Sequence, residues 1–443
     1  MDIVKISDFL KKDLVDYASY DNLRKIASLI DGQKNASRKV LRTVLDKNIK
    51  TEIKVSRLDS AMGDYCEYLH GSAVDVIVNL AQNFPGSNNI PLLNNEGNFG
   101  TRIKNDASAP RYIYTFGSKN LFNIFKKEDS PILTKQFFEG VEIEPLFYVP
   151  SLPMLLINGS KGVSSGFAQD ILNRNPKDLK KYIKEYINKG SSKVVLTPYY
   201  EGYEGTIEQG ENHKQWKIKG SIKKLRRNTI EITEVPIGYN LNSYLKILNA
   251  LMDEGVITNY KDYSSKNFRF EVTIGNHDKF LGNGYNEEEL MDKLKLVKTV
   301  SENFTAIDET NKIVQYETVE EVLQHYIRVK LDYTTKRKEY QLKSMKQELR
   351  VMISKAFFIM CVVSGDIQIS KKAKTEIEEQ ITKFDKIVKV DDSYSYLLNM
   401  PIHSLTKEKI TEIKEKIKVQ KDIILELEST EPKDIWLKEI GEV

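Results

Sequence analysis

Cysteine is almost absent from this 443-residue chain, which has two, Cys66 and Cys361, far apart. That excludes a disulfide framework and offers no metal-ligand spacing, so both read as reduced thiols in a cytosolic-type compartment. Long apolar runs are missing as well. The longest, Ala356 to Val363, is far short of the roughly 20 residues a membrane-spanning helix needs. Met1 to Leu14 mixes Asp and Lys with apolar side chains and reads as an amphipathic helix, not a signal peptide. Net charge is only +4, from 67 basic and 63 acidic residues, so any surface for a polyanion must come from local clustering. There is no Walker loop, no Rossmann fingerprint and no Glu with Asp-x-Asp to hold Mg²⁺; Asp391-Asp392 reads as an isolated loop pair.

What is present is uneven. The length suits two to four domains. Residues 1–22 read as a leading helix or arm. From Arg24 to Arg57 ten basic residues face three acidic ones. Asp31-Gly32 is a turn, and Ser37 to Leu45 places Val40, Leu41, Val44 and Leu45 on one helical face, leaving Arg38, Lys39 and Arg42 outward. A turn followed by a basic helix is the layout of a helix-turn-helix element, and a solvated face is the bland alternative. Next, Gly97-Asn98-Phe99-Gly100-Thr101-Arg102 forms a glycine-hinged loop, followed by Arg111-Tyr112-Ile113-Tyr114. A guanidinium can hold phosphate oxygens and a phenol can act as a nucleophile, so Arg111-Tyr112 suits phosphodiester chemistry; Tyr114 is the local rival.

Leu155 to Gly166 passes from an apolar run into a glycine- and serine-rich tip carrying Val163. It is either a hairpin inserted in the core or a wedge that kinks a duplex. Residues 190–280 alternate β-branched and polar side chains (Val194 to Leu196, Thr206 to Glu208, Trp216 to Ile222, Thr229 to Thr233, Phe268 to Ile274), with a helix at Asn242 to Asp253, which predicts an α+β domain. Residues 316 to about 360 hold no Pro or Gly, and Leu342, Met345, Leu349, Met352 and Ala356 step as a heptad seam. Ile410, Ile413, Ile417, Gln420, Ile424 and Leu427 repeat it after Thr406. The pair predicts an antiparallel coiled coil with a knob between its helices.

Asn79 to Arg102, with Ala107 to Thr115, closely resembles the DNA-cleavage region of type IIA DNA topoisomerases, in the gyrase A-like subunit. Arg24 to Leu41 is similar to that family's helix-turn-helix motif, with Ala27, Gln33 and Asn35 departing from it, and Leu397 to Thr406 to its exit-gate sequence. The resemblance implies an α+β multidomain fold: an arm helix (1–22), a winged-helix DNA-cleavage domain (23–140), a tower (141–312), a coiled coil (313–364 and 404–443) and a dimerising C-gate knob (365–403). It implies Tyr112 as the nucleophile that becomes joined to DNA, with Arg111 and Arg24 at the scissile phosphate. Lys34, Arg38, Lys39 and Arg42 would grip the DNA backbone, with Arg102 and Ser72 as further DNA contacts. His70 stands by the family's His-Gly motif as a phosphate ligand, although the chain is two residues shorter just after it. Val163 takes the place of the wedge isoleucine, and Lys217, Lys219, Lys223, Lys224, Arg226 and Arg227 are candidates for the tower's positive flank.

The chain carries no metal cluster or ATP motif, so Mg²⁺ and ATP are expected on a separate ATPase-TOPRIM (gyrase B-like) partner. The other partners implied are double-stranded DNA and a second copy of the chain, in the cytoplasm of a bacterium or phage-infected cell. No wrapping domain follows the second helix, so relaxation and decatenation are expected without negative supercoiling. So short a cleavage subunit most resembles the medium subunit of T-even-type phage enzymes. A non-enzymatic DNA-bending protein would use the same basic helix and wedge without needing Tyr112. A tyrosine recombinase would place its nucleophile near the C-terminus, and a structural coiled coil would leave residues 1–315 unexplained.

Overall fold

The computed structural model describes residues 6–68, 71–226, 228–275 and 286–442. They form two compact units, residues 1–330 with 437–443, and residues 331–436. None of the described helices is long and apolar enough to cross a membrane.

The first unit begins with the helices Ile6–Lys11 and Asp13–Lys25. The second of these continues past residue 22 and carries Arg24 on its last turn, so the expected arm boundary falls inside a helix. A loop through Asp31 then leads into Asn35–Asp46, which packs with Val55–Cys66 and Val74–Ala81. Their shared interior holds Val40, Leu41, Val44, Leu58, Met62 and Ile77, all fully buried. Burying each such side chain contributes about 1.5–3 kcal/mol. A short antiparallel ribbon, Ile53–Lys54 against Tyr114–Thr115, closes this helical cluster.

Further on, Ser160–Ser164 and Phe167–Ile171 make a hairpin, followed by the helix Pro176–Lys189. Two antiparallel sheets come next. In one, the order is Ile257–Asp262, Phe270–Ile274, Thr229–Glu234, Ser221–Arg226; in the other, Val297–Ser301, Gln215–Lys219, Thr206–Gln209. The helix Leu241–Asp253 packs on the four-stranded sheet through Tyr244, Leu248 and Leu251. The alternation expected at 206–274 is therefore present. Val194 to Leu196 is the exception and forms no strand. Its β-branched residues satisfy local propensity, but no neighbouring strand supplies a hydrogen-bond ladder.

The second unit is an antiparallel helix pair with a small core between its arms. The unit boundary falls within Val319–Ser364, which is paired with Lys407–Ser429. Ala356 and Ile359 meet Ile410 and Ile413, and Lys338 Nζ donates to the carbonyls of Glu428 and Thr430, so the chains run in opposite directions. Ile367, Ile381, Ile387, Tyr394 and Leu397 form the intervening core with Phe358 and Cys361.

Candidate active site

Tyr112 lies just before the Tyr114–Thr115 strand. The backbone around it is pinned from several directions. Val55 and Ser56 donate their N–H groups to the carbonyls of Ile113 (3.1 Å) and Pro110 (3.2 Å), and Tyr114 exchanges hydrogen bonds with Glu96 (2.9 and 3.0 Å). Ile113 is buried at 1% exposure and anchors the segment between its two tyrosines. The glycine loop supports this. Gly100 sits at φ +88°, and a Cβ there would lie 2.2 Å from the Asn105 carbonyl oxygen. The result is a fixed backbone with the Tyr112 ring 66% exposed, whereas Tyr114 is half-buried and pairs with Lys54 across the ribbon. Exposure therefore separates the two candidates. The Arg111 guanidinium lies 4.9 Å from the centre of the Tyr112 ring.

Arg24 is exposed at the end of its helix, 5.4 Å over the Tyr20 ring. With Lys34 it lines a concavity that also includes Ser37, Val76, Asn79 and Ser160. The Lys34 amine donates to the Lys161 carbonyl (2.6 Å), and partial burial pushes its pKa down. No contact joins Tyr112 to Arg24 or Lys34 among the described residues, so a single chain brings together Arg111 with Tyr112, and Arg24 with Lys34, as two separate groups.

The basic helix corrects the expectation most sharply. Arg38, Lys39 and Arg42 point inward, each less than 9% exposed. Arg38 forms a two-pronged pair with Asp31 (2.7 and 3.1 Å), and that carboxylate raises the guanidinium's pKa although burial opposes it. Lys39 pairs with Glu144 at 2.7 Å. Arg42 pairs with Asp46 and donates to the Glu142 carbonyl. The helix buries cations and apolar residues together because Asp31 and Glu144 come to meet Arg38 and Lys39, contacts with no periodic signature, while Arg42 is met one turn on by Asp46 of the same helix. Arg102 is likewise no surface contact. It is buried against Glu234 (3.2 Å) and the carbonyls of Val235, Pro236 and Tyr239, which fastens the glycine loop to the four-stranded sheet. Lys219, too, is held by Glu208 and Glu288.

Ser72 is exposed, but its hydroxyl donates to Asp59 (2.9 Å) and accepts from the Val74 N–H at the start of a helix. His70 and Arg227 lie outside the described residues. Val163 is 70% exposed and stands in a strand opposite Ala168, two residues before the Ser165-Gly166 turn, so it is a flank residue of the hairpin and not its tip.

Contacts that sequence reading missed lock this hairpin to the helix carrying Arg24. Asp21 accepts from the Ser165 N–H (2.9 Å) and hydroxyl (3.0 Å), and its carboxyl is held below the usual range by Lys25 and then by Ser165. Buried Gln169 accepts from the Ala27 N–H (3.0 Å) and donates to the Thr305 carbonyl (2.7 Å). Gly162 presses so closely that a Cβ there would lie 2.2 Å from the Lys25 carbonyl oxygen. Only that glycine left a sequence signal, in its place within the Leu155–Gly166 run.

Among the described residues no group of three His, Cys, Asp or Glu comes close enough to hold a metal ion. Those residues therefore do not fit a resident Mg²⁺ site, and no chemical step is assigned to one.

The fold is that of a type IIA DNA-cleavage domain. The family model for the A-type chain of DNA gyrase/topoisomerase IV matches residues 24–441, and the chain belongs to that family. It is 32% identical to DNA topoisomerase 2, mitochondrial, of Dictyostelium discoideum, over 98% of this chain and 35% of that protein. Identity to DNA topoisomerase 2 of Bombyx mori is 34%, over 86% of this chain and 25% of that one. The crystal structure of the Plasmodium falciparum topoisomerase II DNA-binding, cleavage and re-ligation domain matches with a TM-score of 0.87 at 32% identity, covering 98% of this chain and 63% of that one. The chain spans about a third of the length of the curated relatives first matched.

Proposed function

We propose that this chain is the DNA breakage–reunion part of an ATP-dependent type II topoisomerase, with Tyr112 as its nucleophile. The observation that carries the reading is a phenol 66% exposed on a backbone pinned at Ile113 and Tyr114, with a guanidinium 4.9 Å from its ring. Preorganisation of this kind lowers the entropic part of the barrier to in-line attack. The Tyr112 oxygen bonds to phosphorus as the bond from phosphorus to the 3′ oxygen breaks. The phenolic proton leaves to solvent, and the departing oxygen takes one up as a 3′-hydroxyl. One phosphodiester replaces another, so the 5′-phosphotyrosyl bond retains the energy for resealing. Arg111 supplies positive charge beside the Tyr112 ring, and Arg24 with Lys34 offers a second cationic pair for phosphate oxygens.

Two copies acting on one duplex would cut both strands and let a second duplex pass, giving relaxation and decatenation. In this assignment the helical cluster with its ribbon is the winged-helix domain, the two sheets are the tower, and the helix pair with its small core is the coiled coil with its gate. Met360 and Val363, each 41% exposed at the end of the long helix, support self-association there. Mg²⁺ and ATP are assigned to an ATPase-TOPRIM partner.

The test is cleavage of end-labelled plasmid by wild type and Tyr112→Phe, each with an ATPase-TOPRIM partner and Mg²⁺, stopped with detergent. Wild type should retain protein on the 5′ ends and Tyr112→Phe should retain none. Trapping by the variant would move the role to Tyr114. If neither protein traps DNA but both bend it, the chain is an architectural DNA-bending protein instead.

A further inference from the structure

The backbone just beyond Arg24 is held by a hairpin from far along the chain, Phe304–Ile307 paired with Ile313–Tyr316. Ile307 donates its N–H to the Ala27 carbonyl (3.1 Å) and accepts from the Leu29 N–H (2.7 Å). Gln169, which accepts from the Ala27 N–H, also donates to the Thr305 carbonyl of the same hairpin. Side chains meet more loosely here: Leu23 and Ile26 share a concavity of about 60 Å³ with Ile307, Asp308 and Asn311. Hydrogen bonds therefore set how the hairpin stands against the last turn of the Arg24 helix.

The hairpin has a second anchor. Phe304, Thr305, Ala306 and Ile307 are buried, so burial keeps it folded. Its orientation is fixed by His325, near the start of the long helix and within the first unit. Nδ1 of His325 meets the Tyr316 hydroxyl (2.6 Å), and Nε2 meets the Glu309 carboxylate in the hairpin turn (2.8 Å). Arg328 donates to the other Glu309 oxygen (2.9 Å) and lies 2.6 Å from Nε2. Burial, with Asp308 and Glu309 nearby, pushes the Tyr316 phenol up, so it keeps its proton and donates to Nδ1, leaving Nε2 to donate to Glu309. Burial also pushes the Glu309 carboxyl up, yet its own backbone N–H, His325 and Arg328 outweigh that and hold it below the usual range. Carboxylate, imidazole and phenol in a row have the layout of a catalytic relay, but a phenol that holds its proton so firmly is a poor nucleophile. Both ring nitrogens instead tie the two ends of the hairpin to one side chain.

We propose that His325 and Glu309 are positioning residues for cleavage, which act through the hairpin to set where Arg24 meets the phosphate. This rests on the reading of Arg24 as a phosphate contact, and a double-mutant cycle separates the two. Full-length wild type, His325→Phe, Arg24→Ala and the double variant would be compared for the rate of covalent trapping on saturating end-labelled plasmid, with the ATPase-TOPRIM partner and Mg²⁺ present. Amide exchange at Leu29 would be followed without DNA.

His325→Phe should speed exchange at Leu29 and slow trapping, by up to about a hundredfold for a displacement of about 1 Å. The double variant should trap no more slowly than Arg24→Ala alone, because a residue that acts only through Arg24 has nothing left to position once that guanidinium is gone. A general loss of structure would multiply the two effects instead, and that result overturns the proposal. So does wild-type trapping, or wild-type protection of Leu29, in His325→Phe. If His325→Phe does not fold by circular dichroism, Glu309→Ala, in the turn and away from the buried strand, takes its place in the same cycle. Trapping by Arg24→Ala at the wild-type rate would strike the reading of Arg24 itself, whereas multiplied losses strike only the positioning.

Discussion

Arg38 is the residue whose expected role the structure changes most, and one pair of substitutions tests that change. Its guanidinium faces the fully buried Asp31 carboxylate in two hydrogen bonds and donates a third to the Gln33 carbonyl (3.1 Å). Asp31 in turn accepts from the Gln33 and Tyr148 N–H groups, each at 2.9 Å. Removing one partner of such a pair leaves the other buried and uncompensated, at a cost of about 3–5 kcal/mol. Asp31→Asn should approach that full value. Arg38→Met should fall nearer its lower end, because the two backbone donors still satisfy the carboxylate. The double variant should be less destabilised than the sum of the two by roughly 1–3 kcal/mol.

Urea unfolding followed by circular dichroism supplies all three values. Anisotropy below the unfolding transition supplies DNA affinity, which Arg38→Met should leave with its salt slope intact. The reasoning fails if Arg38→Met stays within about 0.5 kcal/mol of wild type while its salt slope falls by about 0.9. Arg38 would then be a phosphate ligand after all.

Val163→Ala should leave stability within about 0.5 kcal/mol, since the side chain is exposed, yet reduce DNA bending measured by fluorescence transfer between the duplex ends. Gly162→Ala should displace the hairpin from the Lys25 carbonyl, seen as faster amide exchange at Ser165 and weaker cleavage. The Asp21 latch should be pH-dependent. Its folded pKa is lowered from 3.8, so the stability it contributes is present above that value and is lost as pH falls through the depressed one. Ser165 amide protection read against pH should show that loss, and Asp21→Asn should flatten the profile. Tyr114→Phe should still trap DNA, measured by the same detergent-stopped assay.

Local and periodic features were legible in the sequence. The Asn35–Asp46, Leu241–Asp253 and long paired helices follow from apolar spacing, and the Asn35–Asp46 helix shows why charge direction did not. Periodicity identified its buried stripe of Val40, Leu41 and Val44. It could not register that Asp31 and Glu144 would neutralise Arg38 and Lys39 on the remaining faces; only the Arg42–Asp46 pair, one turn apart on the same helix, was within its reach. Arg102 was misread for the same reason, because Glu234 lies 132 residues away. Local spacing also left Tyr112 and Tyr114 equivalent. Exposure distinguishes them, and exposure depends on the ribbon and on the buried Ile113 between them.

Asp21, Gln169 and the close packing at Gly162 fasten the Val163 strand to the helix of Arg24, which ties the proposed wedge to the proposed phosphate contact. On that proposal, a duplex gripped at one would be deformed at the other. Stiff tracts would resist that shared demand, while flexible pyrimidine–purine steps would yield to it readily. The places where such a protein cuts would then be chosen by the local compliance of the double helix, with no base needing to be read.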